Sequence, residues 1–325
     1  MWLSTERLYG GTVFPIIEVP VGSADLLEQL GTKEKFWYAD AQLGRSLFKI
    51  GRANTGENWA EKLACELAAA LGIPHAYYEL ARCGDQTGVV CPNFVPKGGR
   101  LIHGNEIFSK SRQYAEFADA KNYRSRAHTV TLFAAFFKRA TEDGLVVPPK
   151  DFEPFDGVST AADVVVGYLM LDTWIGNQDR HDQNWGVVLD PLASASLYLA
   201  PSFDHGSSFA RNLTEAKCDN MLTTKDMGCH ISTFVGKARS GLYPHSGAGG
   251  VKSLLTIEAF SFLCKLWPHA ARAWLNRLGA VGAAQVQDIV ATFPDEILSP
   301  VRRKFLVEFL MLNQERLLAL EPGKQ

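Results

Sequence analysis

Gly176-Asn177-Gln178-Asp179-Arg180-His181-Asp182-Gln183-Asn184 is the densest run of polar groups in the chain, and its flanks decide how the rest is read. Before it, Ala162 to Ile175 is apolar at helical spacing, with Thr160 and Asp163 in capping-box positions and Gly176 just past the end. After it, Trp185 to Leu189 carries a short strand signal. Polar density held between two core elements marks a site. Twenty residues on, Ala200-Pro201-Ser202-Phe203-Asp204-His205-Gly206 sets a second acid beside a glycine, after the strand-like Leu197 to Ala200. A carboxylate, an amide and a second carboxylate can thus converge. On spacing alone, Asp179 and Asn184 also fit an ordinary polar turn with self-capping side chains.

Working outward, the first hundred residues alternate strand signals with turn residues, whereas the last two hundred are dominated by helical periodicity, which predicts an α+β layout. Phe36-Trp37-Tyr38 and Ser46-Leu47-Phe48-Lys49-Ile50 read as adjacent antiparallel strands. After a loop over Gly51 to Gly56, Ala60, Leu63, Ala64, Leu67, Ala68 and Leu71 recur at helical spacing, with Gly72 and Pro74 as the stop. Tyr77 to Leu80, Val89-Val90 and Phe94-Val95 are expected to be further strands, and Pro96 to Gly99 a turn between two unlike parts, residues 1–97 and 98–325. In the second part, helices are expected over Val130 to Arg139, Lys252 to Trp267 and Pro300 to Leu320, the last opened by Ser299 and Pro300. Ser202 to Gly250, rich in Gly, Ser, Thr and His, reads as a long, partly mobile segment.

Lys49 interrupts an apolar strand, where an uncompensated ammonium is costly, so it requires an anion. Glu61 on the following helix qualifies: Lys62 and Glu66 can pair at i,i+4, but Glu61 meets only Glu57 and Cys65 at that spacing. A strand lysine held by a helix glutamate, a carboxylate to orient or deprotonate a hydroxyl (Asp179) and two oxygen ligands for magnesium (Asn184 and Asp204) are the inventory of phosphoryl transfer. Gly31-Thr32-Lys33-Glu34-Lys35, placed as a loop before the first strand of the pair, offers backbone N–H groups and two lysines to phosphates. It matches neither GxxxxGK[ST] nor GxGxxG.

The 325 residues, 46% of them hydrophobic, suffice for a large core, and a net charge of −2 argues against a polyanion as the main partner, nucleic acid included. Six cysteines without a CxxC pair predict neither a zinc site nor a disulfide framework, and fit a reducing compartment. With no signal peptide and no span of membrane length, the expected location is the cytoplasm.

These residues resemble the HipA-like kinases, a family that shares its fold and site layout with the phosphatidylinositol 3- and 4-kinases and, more remotely, with the eukaryotic protein kinases. Gly31 to Lys35 resembles the family's glycine-started phosphate loop, Leu47-Phe48-Lys49 its strand with the ATP-binding lysine, and Glu61 to Pro74 its glutamate-led helix ending in a Leu-Gly turn. Asp179-Arg180-His181-x-x-Asn184 is similar to its catalytic loop, and Asp204-His205-Gly206 to its metal-binding Asp-x-Gly. The resemblance implies a bilobal protein kinase-like fold, with a small β-rich N-lobe carrying one main helix and a larger, mostly helical C-lobe. It further implies ATP and Mg2+ as cofactors, Asp179 as the base, Asn184 and Asp204 on the metal, and Gly31, Thr32, Lys33, Lys35 and Lys49 on the nucleotide phosphates, with Glu61 orienting Lys49. His181, in the catalytic loop, is placed with the cofactor-binding residues, as a structural hydrogen-bonder within the loop more than as the base. The implied acceptor is a Ser or Thr hydroxyl of a protein, and the implied context a toxin-antitoxin pair with an antitoxin-like partner. Leu30 stands where the HipA pattern commonly has serine, and His205 where many kinases have Phe. The rival readings are a lipid or small-molecule kinase, an ATP-binding regulator without turnover, and a hydrolytic metal site on Asp179, His181, Asp182 and Asp204.

Overall fold

A computed structural model of the chain describes residues 13–27, 34–53, 55–111, 114, 125–193, 197–246 and 251–323. The N-terminal region contains β1 Ile16–Glu18, β2 Leu26–Leu27, β3 Lys35–Asp40, β4 Gly44–Ile50, α1 Glu57–Leu71, β5 Glu79–Cys83 and β6 Gln86–Pro92. Its strands form one sheet in the order β1-β5-β6-β4-β3-β2. The expected antiparallel pair is β3 with β4, in a register that sets Phe36 opposite Phe48 and Lys35 opposite Lys49. Side chains alternate faces along a strand, so burying Phe48 beneath the sheet puts Lys49 on the opposite side. Phe36 and Phe48 meet with ring centroids 5.3 Å apart, fixing that register by cross-strand packing.

The remaining elements are β7 Arg100–His103, α2 Gly104–Phe108, α3 Val130–Glu142, α4 Ala161–Ile175, β8 Gly186–Leu189, β9 Leu197–Leu199, α5 Glu215–Thr223, α6 Ile231–Phe234, α7 Thr256–Leu266, α8 Pro268–Ala280, α9 Ala283–Ala291 and α10 Pro300–Leu318. A second sheet, β7-β8-β9, sits among them. The central post is α4, in which every residue except Asp163 is buried. Thr160 and Asp163 close the capping box at its start, and α7, α8 and α10 pack around it. Two tryptophans pin those neighbours: Trp174 donates to the Leu310 carbonyl at 3.1 Å and Trp274 to the Asp163 carbonyl at 2.8 Å. Each large apolar side chain buried this way contributes about 1.5–3 kcal/mol. The site loop therefore leaves the end of a helix buried along almost its whole length.

Three expectations need correction. Phe94-Val95 is irregular chain after β6, because Asn93 turns the backbone by accepting the Val95 N–H on its side chain. The stretch from Ser202 onward holds α5 and α6. Only Cys218 of helix α5 is buried, with Met221 and Leu222 partly buried beside it, so it has little periodicity to read; tertiary contacts hold it, including Arg302 of α10 at 3.2 Å from Glu215. Helices α8 and α9 were not foreseen; Pro268 at the first turn of α8 starts a new helix directly at the Trp267 boundary. Among the described residues no helix is long and apolar enough to cross a membrane.

One buried histidine joins α3, β8 and the chain before α7. Trp185 donates to His128 Nε2 at 3.0 Å, and His128 Nδ1 lies 3.2 Å from the Gly241 carbonyl, a pairing that only the neutral Nδ1–H form satisfies. Burial, outweighing the pull of Asp182, pushes its pKa down to about 4. An unfolded histidine takes its proton near pH 6.5, so this contribution is complete above that pH and is lost as pH falls from 6.5 toward 4. Urea unfolding at pH 7.5 and 4.5 should therefore show a wild-type stability loss about 2 kcal/mol larger than that of His128→Asn. Equal losses in the two proteins would contradict the assignment.

Candidate active site

Lys49 projects from β4 between the two regions, its side chain 12% exposed. Its ammonium donates to Tyr78 Oη at 3.1 Å and lies 3.5 Å from Glu61 Oε1 on α1 and 3.6 Å from Asp204 Oδ1. Burial alone would lower the Lys49 pKa; Asp204, Tyr78 and Glu61 together outweigh it and hold the group well above its ordinary value, so it stays charged. Glu61 uses its other oxygen to accept the His205 N–H at 2.8 Å. The helix glutamate thus touches both the strand lysine and the segment that follows Asp204. A Cβ at Gly206 would come within 3.3 Å of Glu61 Oε1, so glycine permits this close approach.

Asp204 has φ of 59°, a left-handed conformation that costs a non-glycine residue about 1 kcal/mol. Its N–H donates to Tyr78 Oη at 3.3 Å, and its carboxylate turns to Lys49 while remaining 34% exposed. Tyr78 therefore anchors both the lysine and the strained aspartate. The sequence offered no more than a strand signal at Tyr77 to Leu80, and nothing in that pattern marks a phenol aimed at the site.

Loop 176–184 is shaped from α4. Gly176 caps the helix at φ 63°, and Asn177 accepts the Asp179 N–H at 3.1 Å while its amide donates to Asp172 at 2.8 Å. Asn184 donates to the Asp179 carbonyl at 2.8 Å, closing the loop and leaving its side-chain carbonyl oxygen for an outside ligand. Asp179 Oδ2 receives the Ser207 hydroxyl at 3.5 Å.

The brace of the loop is Arg180, whose side chain is 1% exposed. Its guanidinium forms a two-point pair with Asp172 of α4 at 2.8 Å on both oxygens, donates to the Asn184 carbonyl at 2.8 Å and reaches Ser202 Oγ at 2.9 Å. Its Nη2 also lies 3.2 Å from His205 Nε2, which sits 2.7 Å from Ser202 Oγ. Burial and the Arg180 charge push the His205 pKa well below its ordinary value, so this imidazole is neutral and accepts. The arginine is turned inward as a scaffold, joining α4, the loop and the approach to Asp204. Asp172, Ser202 and His205 escaped sequence reading as a unit because they are brought together only by folding.

The other expected positions divide. His181 is buried and accepts the Gln183 N–H at 3.1 Å within its own loop, with Nε2 3.9 Å from Asp179 Oδ1. Gly31, Thr32 and Lys33 lie outside the described residues. Lys35 is the first residue of β3, directly across from Lys49, which corrects its placement in the loop: the antiparallel ladder extends to that register. The hydrolytic metal reading finds no support in the geometry, because Asp182 accepts a hydrogen bond from buried Tyr114, and among the described residues no three His, Cys, Asp or Glu side chains gather as a metal site.

Removing one partner of a buried ion pair costs about 3–5 kcal/mol, because the other charge is left unpaired. Arg180→Met should lose that much stability by urea unfolding, and adding Asp172→Asn should recover at least about 1 kcal/mol. A loss in Arg180→Met below about 1 kcal/mol would show that the brace is dispensable.

No family model matches the chain, and no curated protein matches its sequence. Among solved structures, the chain is similar to the Helicobacter pylori proinflammatory kinase CtkA, with a TM-score of 0.66 at 17% identity over 94% of this chain and 100% of that one. It is also similar to HipA of Shewanella oneidensis MR-1, solved with HipB and operator DNA, with a TM-score of 0.54 at 10% identity over 96% of this chain and 68% of that one. A mixed α/β chain with a β-sheet N-terminal region and a helical C-terminal region, it has the fold of the HipA-like kinases.

Proposed function

We propose that the chain is an ATP- and Mg-dependent kinase that transfers the γ-phosphoryl group to a hydroxyl, with a Ser or Thr of a protein as the acceptor. The observation that carries the reading is the Lys49 ammonium, held between Glu61 of α1 and Asp204 of the following region at 3.5 and 3.6 Å. A cation fixed by one carboxylate and facing a second, partly exposed carboxylate is suited to a metal-bound polyphosphate. In this reading residues 1–97 are an N-lobe, residues 98–325 a C-lobe, and the nucleotide lies between them.

The donor set fits the cofactors: Asp204 and Asn184 supply hard oxygen ligands of the kind magnesium takes, and Lys49 supplies a point charge for phosphate oxygens. Bound Mg-ATP supplies the transferable phosphoryl group and the cation that offsets its charge. Glu61 keeps Lys49 in place, and its hold on the His205 N–H sets the backbone beside Asp204. Asp179 accepts a hydroxyl, here that of Ser207, so the same carboxylate can orient an acceptor hydroxyl and take its proton. Arg180 keeps that carboxylate's loop in register with Asp204 without facing the acceptor. By the resemblance, Gly31, Thr32 and Lys33 would contribute backbone N–H groups and a lysine to the phosphates, and Lys35, at the start of β3, a second lysine. An antitoxin-like partner is proposed by analogy with HipA, whose solved complex includes HipB.

Incubation with γ-labelled ATP and magnesium should transfer label to protein, with phosphoserine or phosphothreonine recovered after hydrolysis. Asp179→Ala and Asp204→Asn should each lower the rate by about 100-fold or more. Equal labelling by wild type and both variants would remove the assignment, and label recovered only in lipid would redirect it to a lipid kinase.

A further inference from the structure

Helix α1 meets the C-terminal region at a second point, one turn before Glu61. Glu57 is the first residue of α1 and is buried; Arg211 donates to its Oε1, and Arg52 lies 3.4 Å from the same atom. Arg211 is 12% exposed and uses its other guanidinium arm to donate to Ser207 Oγ at 3.3 Å. Ser207 in turn donates to Asp179 Oδ2 at 3.5 Å, and its carbonyl accepts the Gln178 N–H at 3.4 Å. Polarity is consistent at every link: the guanidinium only donates, the hydroxyl accepts once and donates once, and both carboxylates accept. Glu57 and Glu61 are four residues apart and so share one face of α1.

The turn that delivers Arg211 is strained. Phe209 and Ala210 have φ of 57° and 51°, two consecutive left-handed residues without a glycine, a conformation that residues with a Cβ rarely adopt. Phe209 is fully buried 6.1 Å from Trp59 of α1, and its N–H donates to the Ile175 carbonyl at the end of α4 at 2.8 Å. The turn is thus bolted to α1 and α4 together. Strain retained in so well anchored a turn points to a task for the residue it aims.

We infer that Arg211 is a positioning residue, a clamp from Glu57 through Ser207 to Asp179 that fixes the distance between α1 and the carboxylate facing the acceptor. This rests on the phosphoryl-transfer reading above and adds to it a second tie, independent of Lys49. It gives the segment after Gly206 a defined role: with the clamp closed, Ser207 holds Asp179, and the rate depends on α1 being seated. A lysine cannot reproduce the clamp fully, since one ammonium lacks the two divergent arms of a guanidinium.

The test uses the full chain with Mg-ATP. Arg211→Ala and Glu57→Gln should each lower kcat about 10- to 100-fold, with the KM for Mg-ATP within about twofold of wild type, since the misplaced group acts on the reacting geometry and not on nucleotide affinity. The double variant should be no slower than either single one, and Arg211→Lys should recover part of the rate. A kcat for Arg211→Ala within about twofold of wild type, or losses that multiply in the double variant, would overturn the clamp. Amide exchange without nucleotide separates this from the parent reading: both single variants should exchange the Gln178 amide at least about tenfold faster, whatever the turnover. Unchanged protection at Gln178 would also overturn it, whereas absence of any wild-type turnover would count against the kinase reading alone.

Discussion

The buried pairing of Arg180 with Asp172 is the constraint on which the rest of the site depends. Desolvating two charges is expensive, and only the two-point geometry at 2.8 Å together with hydrogen bonds to Asn184, Ser202 and His205 offsets it. Those hydrogen bonds run to the end of the loop at Asn184 and to the stretch from Ser202 to His205, so the energy that keeps the arginine buried also fixes the loop against the approach to Asp204. Rigidity comes from α4, which is buried on every side and therefore cannot shift without opening the core. A loop of polar residues thereby acquires the precision of a core element.

The opposite wall of the site is organised around one ammonium. Lys49 would be costly on an apolar strand without an anion, and its neighbours supply two, one from α1 and one from the strained Asp204. Because Glu61 also accepts the His205 N–H, one carboxylate ties the strand lysine to the segment that follows Asp204. The neutral His205 serves both walls: its backbone answers Glu61, and its ring answers Arg180 and Ser202.

Local pattern carried much of this architecture. The β3–β4 pair, α1 with its Gly72 stop, the capping box of α4 and the Ser299-Pro300 start of α10 were all legible, because each has a short-range physical signature. Lys49 and Glu61 could be matched by elimination, since one charge lacked a local anion and the other a local cation. What stayed hidden was set by tertiary contact. Tyr78 looks like any aromatic of a strand-like run, Arg180 reads only as a member of the loop motif and Arg211 as part of an irregular stretch, until folding brings their partners within reach. Helix α5 escaped for a related reason, its stability residing in Arg302 of a distant helix and not in its own periodicity.

In the proposed function, one amine from the N-terminal region and oxygen-bearing side chains from the C-terminal region close around a single triphosphate. The most direct test of that arrangement is a crystal structure with magnesium and a non-hydrolysable ATP analogue. Phosphate oxygens should lie within hydrogen-bonding distance of Lys49, and a magnesium ion should be bound by Asn184 and Asp204. An analogue bound elsewhere, or one bound between the regions with Lys49 and Asp204 turned away from it, would contradict it.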